Sequence, residues 1–312
     1  MAQKISVIIP TLNGEPTLTE FFTALKMQDL QPDEILVGDS QSRDNTVEIC
    51  KGYGAKVLTI ERSSFDHGGT RSYLAQKAEG TILVFFTQDA ILSSPDALRR
   101  IVESLSEGSK VICAYGRQLP QHNATLLSAH LRNFNYPPVS KVKSFDDRLS
   151  EGLKTIFISN SFAAYMKEPL ALCGYFKNGL IFGEDTCTLG RLLKAGYKVS
   201  YTADAGVYHS HNYTVTDEFK RSFDIGVLHS SETWLLETYG TAEGIGTKYV
   251  RSALSAIVEK KRYGLIFDWL LRSGSKFVGY KLGRCYLSIP PRMRPYLSLH
   301  SFWWNNLPDK VV

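Results

Sequence analysis

No apolar stretch of this chain approaches the roughly 18 to 20 residues that a bilayer-spanning helix requires, which excludes an integral helical membrane protein. An apolar leader is lacking too. Strand-like residues begin within four positions of Met1, so neither a cleaved leader nor an anchor is expected. Cysteine is sparse and unpaired: Cys50, Cys113, Cys173, Cys187 and Cys285 are odd in number, widely spaced and free of any Cys-x-x-Cys pair. That excludes a disulfide framework and a zinc knuckle and fits a reducing cytoplasm. Internal repeats and low-complexity segments are absent. What remains is a globular chain of 312 residues, 43% hydrophobic, long enough for one large domain or a domain with an appendage.

Negative charge is scarce near the end. From Lys248 to Val312, twelve Lys or Arg face only Glu259, Asp268 and Asp309, so this segment carries +9 while the preceding residues carry −4. A basic module on a slightly acidic body suggests an anionic partner: phospholipid, nucleic acid or a phosphate-bearing substrate. No nucleic-acid-binding module accompanies the charge, so nucleic acid is not expected as a partner. No pattern specifies an oligomeric state.

The first half alternates apolar β-branched runs with helical patterns. Ile5–Ile9, Glu34–Val37, Lys56–Ile60, Ile82–Phe86 and Lys110–Ala114 read as strands, at the roughly 20- to 30-residue spacing of βαβ units. Pro16 and Pro95 stand where first helical turns start, and Ser42 and Asp44 can cap a helix from Val47 to Lys51. This predicts an α/β protein with a doubly wound, mostly parallel sheet and helices on both faces. Gln118 to Ser150, with Pro120, Pro137 and Pro138, reads as an insertion or mobile loop. Strand signals stop after Tyr201, and from Thr216 to Leu287 the pattern is helical.

The most informative stretch is Ile82–Phe86 followed by Thr87-Gln-Asp-Ala90, an unbroken apolar strand that stops at a carboxylate. Such a run suits a strand buried on both faces of a parallel sheet, whose ligands bind beyond the carboxyl ends of the strands. A lone Asp89 would equally cap a turn. Three more polar clusters fall at strand ends, however: Pro10-Thr-Leu-Asn-Gly14, Gly38-Asp-Ser-Gln-Ser-Arg-Asp44 and Phe65-Asp-His-Gly-Gly-Thr-Arg71. The second is rich in groups that hydrogen-bond a nucleobase and ribose. In the third, two glycines let backbone amides approach a ligand, a helix start favours an anion, and His67 and Arg71 add donors. One shared site accounts for all four.

Ser6-Val-Ile-Ile-Pro-Thr-Leu-Asn13, Asp33-Glu-Ile-Leu-Val-Gly-Asp-Ser40 with Ser42-x-Asp-Asn-Thr46, Phe86-Thr-Gln-Asp89, and Gly183-Glu-Asp185 with Arg191 resemble, in that order, the signature of glycosyltransferase family 2. The resemblance spans about residues 1 to 212. It implies a GT-A fold, with residues 1-212 a nucleotide-sugar-binding and catalytic domain and 213-312 a helical basic extension. Phe65–Arg71, Thr87–Ala90 and Tyr208-His-Ser-His211 resemble the rhamnosyltransferase branch, which implies dTDP-L-rhamnose as donor.

A nucleotide-sugar donor leaves as a diphosphate, whose developing charge a hard divalent cation, Mg²⁺ or Mn²⁺, would neutralise. By resemblance Asp89 matches the second carboxylate of the family's Asp-x-Asp pattern; Thr87 replaces the first, and His209 or His211 is the candidate to compensate. Asp185 is implied as the base that takes the acceptor hydroxyl's proton in an inverting transfer, with Glu184 orienting acceptor or donor sugar. The pair would serve equally as an acidic helix start. Donor contacts are expected from Pro10, Thr11 and Asn13, from Asp39 and Ser40, from His67, Gly68 and Arg71, and from Gln88 and Asp89. Arg191 is expected to reach the diphosphate or Glu184. The activity implied is an inverting rhamnosyltransferase building a bacterial surface polysaccharide such as O-antigen on a lipid-linked acceptor, at the cytoplasmic face of the membrane. The alternatives are a transferase using another nucleotide sugar and a non-catalytic nucleotide-sugar-binding protein. Leu265 to Arg284, with Asp268, Arg272 and Lys276 on one stripe, reads as an anionic-membrane contact or a packing helix. Phe302-Trp-Trp304, beside Arg292 and Arg294, favours an interfacial contact.

Overall fold

The computed structural model describes residues 3–241 and 243–306; Asp309 lies outside the described residues. Strands form where the apolar runs are: β1 (Ile5–Thr11), β2 (Glu34–Asp39), β3 (Lys56–Thr59), β4 (Ile82–Phe86) and, after the two-residue β5 (Ile91–Leu92), β6 (Val111–Leu119). Helices α1 (Glu15–Lys26), α2 (Thr46–Gly52), α3 (His67–Lys77) and α4 (Ala97–Glu103) alternate with them. Pro16 sits in the first turn of α1, whereas Pro95 precedes α4, whose cap position is Asp96. Asp44 serves two helix starts: its carboxylate accepts from Glu15 N at 3.2 Å and from Thr46 N at 3.1 Å. Ser42 does not cap α2; its hydroxyl accepts from Asn13 N instead.

The remaining elements are α5 (Leu126–Asn135), β7 (Lys141–Lys143), α6 (Arg148–Glu151), β8 (Phe162–Met166), α7 (Lys167–Leu172), α8 (Glu184–Lys194) and β9 (Lys198–Tyr208). The helical part follows with α9 (Val215–Ser231), α10 (Thr233–Tyr239), α11 (Glu243–Glu259), α12 (Ile266–Arg284), α13 (Arg294–Leu297) and α14 (Ser301–Asn305). Strand order is β3-β2-β1-β4-β8-β6-β9-β5, with β7 also on β9. The parallel expectation holds for β3-β2-β1-β4 and between β6 and β9; β8, β7 and β5 are antiparallel additions that make the sheet mixed. Two expectations are corrected. Residues 118–150 are not a loop, since Thr125 caps α5 by accepting from Ser128 N and β7 pairs with β9. Strand structure also continues past Tyr201 to Tyr208, through an Ala-Asp-Ala-Gly stretch of poor strand formers.

Alternation along each strand feeds two apolar layers. Val7, Ile9, Val37, Val84 and Phe86 pack under α1 and α4. Ile8, Leu36, Leu83 and Phe85 face α3 and α8 in a layer that continues into Phe223, Val227, Tyr286 and Trp304. The helical part thus shares the sheet's core. Trp304 is buried against Phe223 and Tyr286, and buried Arg294 lies over the rings of Tyr286 and Trp304, so packing explains Trp304 and Arg294. Helix α12 lies on α9 at glycine contact. A Cβ on Gly283 would stand 2.0 Å from Phe223 O, and one on Gly279 2.4 Å from Phe219 O. Arg272 and Lys276 on the same face pair with Glu218 at 3.4 and 3.3 Å. The opposite face of α12 presents Phe267, Leu270, Leu271, Phe277 and Val278 to solvent. Among the described residues no helix is long and apolar enough to cross a membrane.

Candidate active site

The carboxyl ends of β1, β2 and β4 are tied into one rim by short polar side chains. The Gln88 amide grips the Leu12 backbone in both directions, accepting from N at 3.0 Å and donating to O at 3.2 Å. Asn13 takes the left-handed backbone, φ 48°, its N–H donating to Ser42 and its side chain accepting from Arg43 N. Asp39 is buried and accepts from Thr11 and Ser42, so it braces the rim. Ser40, by contrast, has a buried hydroxyl with no partner that lines a cavity of about 630 Å³. Pro10, Thr11, Gln88, His67 and Arg71 line the same cavity.

Asp89 follows this rim, and strand register delivers its partners. Ile91 of β5 pairs with Tyr208 of β9 antiparallel, so the residues just before the one meet those just after the other. His209 Nε2 lies 3.4 Å and His211 Nε2 3.7 Å from Asp89 Oδ2. One ligand atom from each residue lies within 4.8 Å of the others, close enough to converge on one cation. Burial opposes ionisation of Asp89, yet the hydrogen bond and charge of His209 hold it well below the usual carboxylate range. Burial, helped by the charges of His209, Arg132 and Arg221, pushes His211 down to about 4. The set therefore offers one carboxylate and a neutral imidazole with its lone pair free. His209 and His211, one of which was expected to compensate for Thr87, both stand beside Asp89.

A second cluster lies at the start of α8. Gly183, φ 80°, turns the chain into the helix where a Cβ would strike Leu228. Glu184 is buried against Arg71 at 3.2 Å. Burial works against its charge, but Arg71 and His67 keep it below the ordinary glutamate value. Asp185 has no such cation; it accepts from Thr186 N at 2.7 Å and Asn160 N at 3.2 Å. Burial and the neighbouring Glu184 push it up to about 7. A carboxylate with that affinity can take a proton from a substrate near neutrality.

Two expected donor residues lie differently. Arg191 turns away from both clusters, donating to Tyr175 O at 2.6 Å and to Thr188, so it joins neither Glu184 nor the cavity. Gly68 has a packing reason, because a Cβ there would lie 1.9 Å from Lys177 O. Its neighbour's amide, Gly69 N, is already bound to Asp66. His67 is no surface histidine; burial lowers its pKa, and its ring stands edge-on to His300.

Several residues were not expected at the site from sequence. Asn160 joins Glu184, Asp185 and Tyr165 in one network. Arg132 and Arg221 both act on His211, and the Nε of Arg132 is buried without a partner. Among the described residues no carboxylate pairs with Arg221, which stands 5.8 Å over the Phe182 ring. His300, Phe302 and Trp303 line the cavity from the far end of the chain.

The fold has known counterparts. A mannosyltransferase, PcManGT from Pyrobaculum calidifontis, solved in complex with GDP-Man and Mn²⁺, is similar over 99% of this chain and 88% of its own, with TM-score 0.60 and 19% identity. S. aureus TarS, residues 1-349, is similar over 97% of this chain and 88% of its own, with TM-score 0.56 and 17% identity. Sheet, helical part and neighbours define the GT-A fold. Residues 6–172 match the model of glycosyl transferase family 2. Two curated relatives are similar almost end to end: "O-antigen chain rhamnosyltransferase WbaN" of Salmonella anatum, 40% identical over 97% of this chain and 96% of its own, and "O-antigen chain rhamnosyltransferase RfbN" of Salmonella typhimurium, 39% identical over 97% of each. The chain belongs to glycosyl transferase family 2.

Proposed function

We propose that this enzyme transfers L-rhamnose from dTDP-L-rhamnose, with inversion, to a lipid-linked saccharide in the synthesis of O-antigen or a similar bacterial surface polysaccharide. The observation that carries this reading is the near full-length likeness to two O-antigen chain rhamnosyltransferases. Asp185 is the base: the acceptor hydroxyl gives it a proton as its oxygen bonds the anomeric carbon and the bond to the diphosphate breaks. Glu184, fixed by Arg71, keeps Asp185 basic. Asp89, His209 and His211 would hold a divalent cation, which when bound neutralises charge on the diphosphate. Two imidazoles favour Mn²⁺ over Mg²⁺ in that set. Arg132 and Arg221, short of carboxylate partners, face the same diphosphate.

We also propose that residues 1-212 carry the chemistry and most of the donor site, as expected from sequence, while 213-312 serve attachment and add the wall around Phe302 to the donor cavity. The attachment is peripheral, to the inner face of the cell membrane, through the exposed apolar face of α12. The deciding assay follows nucleotide release from a panel of sugar nucleotides with a lipid-linked acceptor. dTDP-L-rhamnose alone should turn over, EDTA should stop release, and Mn²⁺ should restore it better than Mg²⁺. Comparable release from GDP-mannose would remove the donor assignment, and full activity in chelator the metal role.

A further inference from the structure

We propose that Phe302 stacks on the nucleobase of the donor, so that the end of the chain, far outside the family-model span of residues 6–172, completes the nucleotide site. The inference rests on the donor reading above and adds the wall that reads the base. Direction comes from the sheet. With its diphosphate at Asp89, beyond β4, a donor would run its nucleoside along the strand order β4, β1, β2, because the cavity extends from Thr87 and Gln88 to Thr11 and Ser40. Those two residues line one side of the 630 Å³ cavity, and Phe302 and Trp303 line another. Asp89 and Asp185 are not on its wall, so the acceptor's chemistry lies beside this cavity and its occupant is the nucleoside.

The wall is built before any ligand arrives. Leu299 N donates to buried Asp224 at 2.9 Å, Trp303 Nε1 donates to Gly179 O at 3.3 Å, and Trp304 is buried against Tyr286. Phe302 is the member left over. It is 40% exposed and, among the described residues, enters no ring pair, whereas Trp303 packs edge-on to Trp304 at 4.8 Å. An open aromatic ring on a wall anchored through its neighbours, in the same cavity as an unpartnered Ser40 hydroxyl, offers a base one stacking surface and one polar contact.

Calorimetric titration of dTDP and of inorganic pyrophosphate, both with Mn²⁺, into wild type and Phe302→Ala tests this. The variant should bind dTDP roughly tenfold more weakly and pyrophosphate unchanged, and Phe302→Trp should recover the loss. Equal dTDP binding by wild type and Phe302→Ala overturns the stacking and leaves the donor reading intact. An equal loss for pyrophosphate also overturns it, since Phe302 would then serve the fold. GDP bound in preference to dTDP, but with the same tenfold loss, would support the stacking while removing the rhamnose donor. Pyrophosphate binding as tightly as every nucleoside diphosphate overturns both.

Discussion

Glu184 and Asp185 are adjacent carboxylates with opposite fates, and one cation makes the difference. Arg71 offsets the burial of Glu184, while Asp185 receives only amide hydrogens and feels the fixed charge beside it. If Asp185 is the base, only its ionised form works, so kcat/KM should rise about tenfold per pH unit below its pKa of about 7 and level off above it. Asp185→Ala should lower kcat by roughly 10²- to 10⁴-fold. Glu184→Gln removes the repulsion and should carry the acid limb to lower pH; a limb that stays put would clear Glu184 of that role. Stability has the opposite sign. Because the folded pKa exceeds the unfolded one, the folded state holds an extra proton between about pH 4 and 7, and the contribution falls as pH rises through that window. At this scale most of the site was legible, because Asp89, the two histidines and the acidic pair sit in contiguous motifs. Arg191 misled for a geometric reason. Arg191 lies seven positions after Glu184 on the same helix face, but at about 1.5 Å rise per residue the two are about 10 Å apart along the axis. Asn160 and Phe302 were illegible because each reaches the site through folding alone.

Among elements, β1 to β4 and β6 were readable from their β-branched runs, while stretches dominated by small residues were not. Strand β8 carries Ala163 and Ala164, and the end of β9 reads Ala-Asp-Ala-Gly. Strand β8 is held between β4 and β6, and β9 bulges at residues 203–205 before pairing with β6 again at Gly206, which local propensity cannot report. The misreading has functional weight, since it is the pairing of β5 with β9 that sets His209 beside Asp89. Helices α9 and α12 show the converse: Gly226, Gly279 and Gly283 look like helix breakers, yet each meets the other helix's backbone at a distance no Cβ tolerates. Gly283→Ala should therefore destabilise the protein by about 1–3 kcal/mol or more, read as a lower midpoint in urea with unchanged slope. Gly274, on the open face with nothing within 4 Å, is the control; Gly274→Ala should stabilise by roughly 0.5–1 kcal/mol. A neutral Gly283→Ala would mean that the two helices separate at little cost.

At the scale of the molecule, the basic module suggested by composition divides into two kinds of charge. Arg272 and Lys276 are internal, tied to Glu218 and, for Arg272, to Asp268 at 2.7 Å, and Arg294 is buried. Lys260, Lys261 and Arg262 stay exposed at the turn leading to α12, and among the described residues none forms an ion pair. Beside them the residues 267, 270, 271, 277 and 278 recur at helical spacing, an apolar stripe exposed along α12, with Phe267 70% and Phe277 60% open to solvent. A stripe of this kind edged by cations suits the headgroup boundary of an anionic bilayer. Each exposed Lys or Arg contributes about 1 kcal/mol near such a surface, so replacing Lys260, Lys261 and Arg262 with Gln should weaken binding to phosphatidylglycerol vesicles on the order of 100-fold at low salt. Added salt should weaken the wild type toward the variant. Phe267→Ser with Leu271→Ser and Phe277→Ser should abolish co-sedimentation at every ionic strength while leaving nucleotide binding intact. Vesicle binding equal in wild type and both variants would place the contact elsewhere. Concentration-dependent dimers that vanish in the apolar variant, without vesicle binding by the wild type, would give the face to a second copy of this chain.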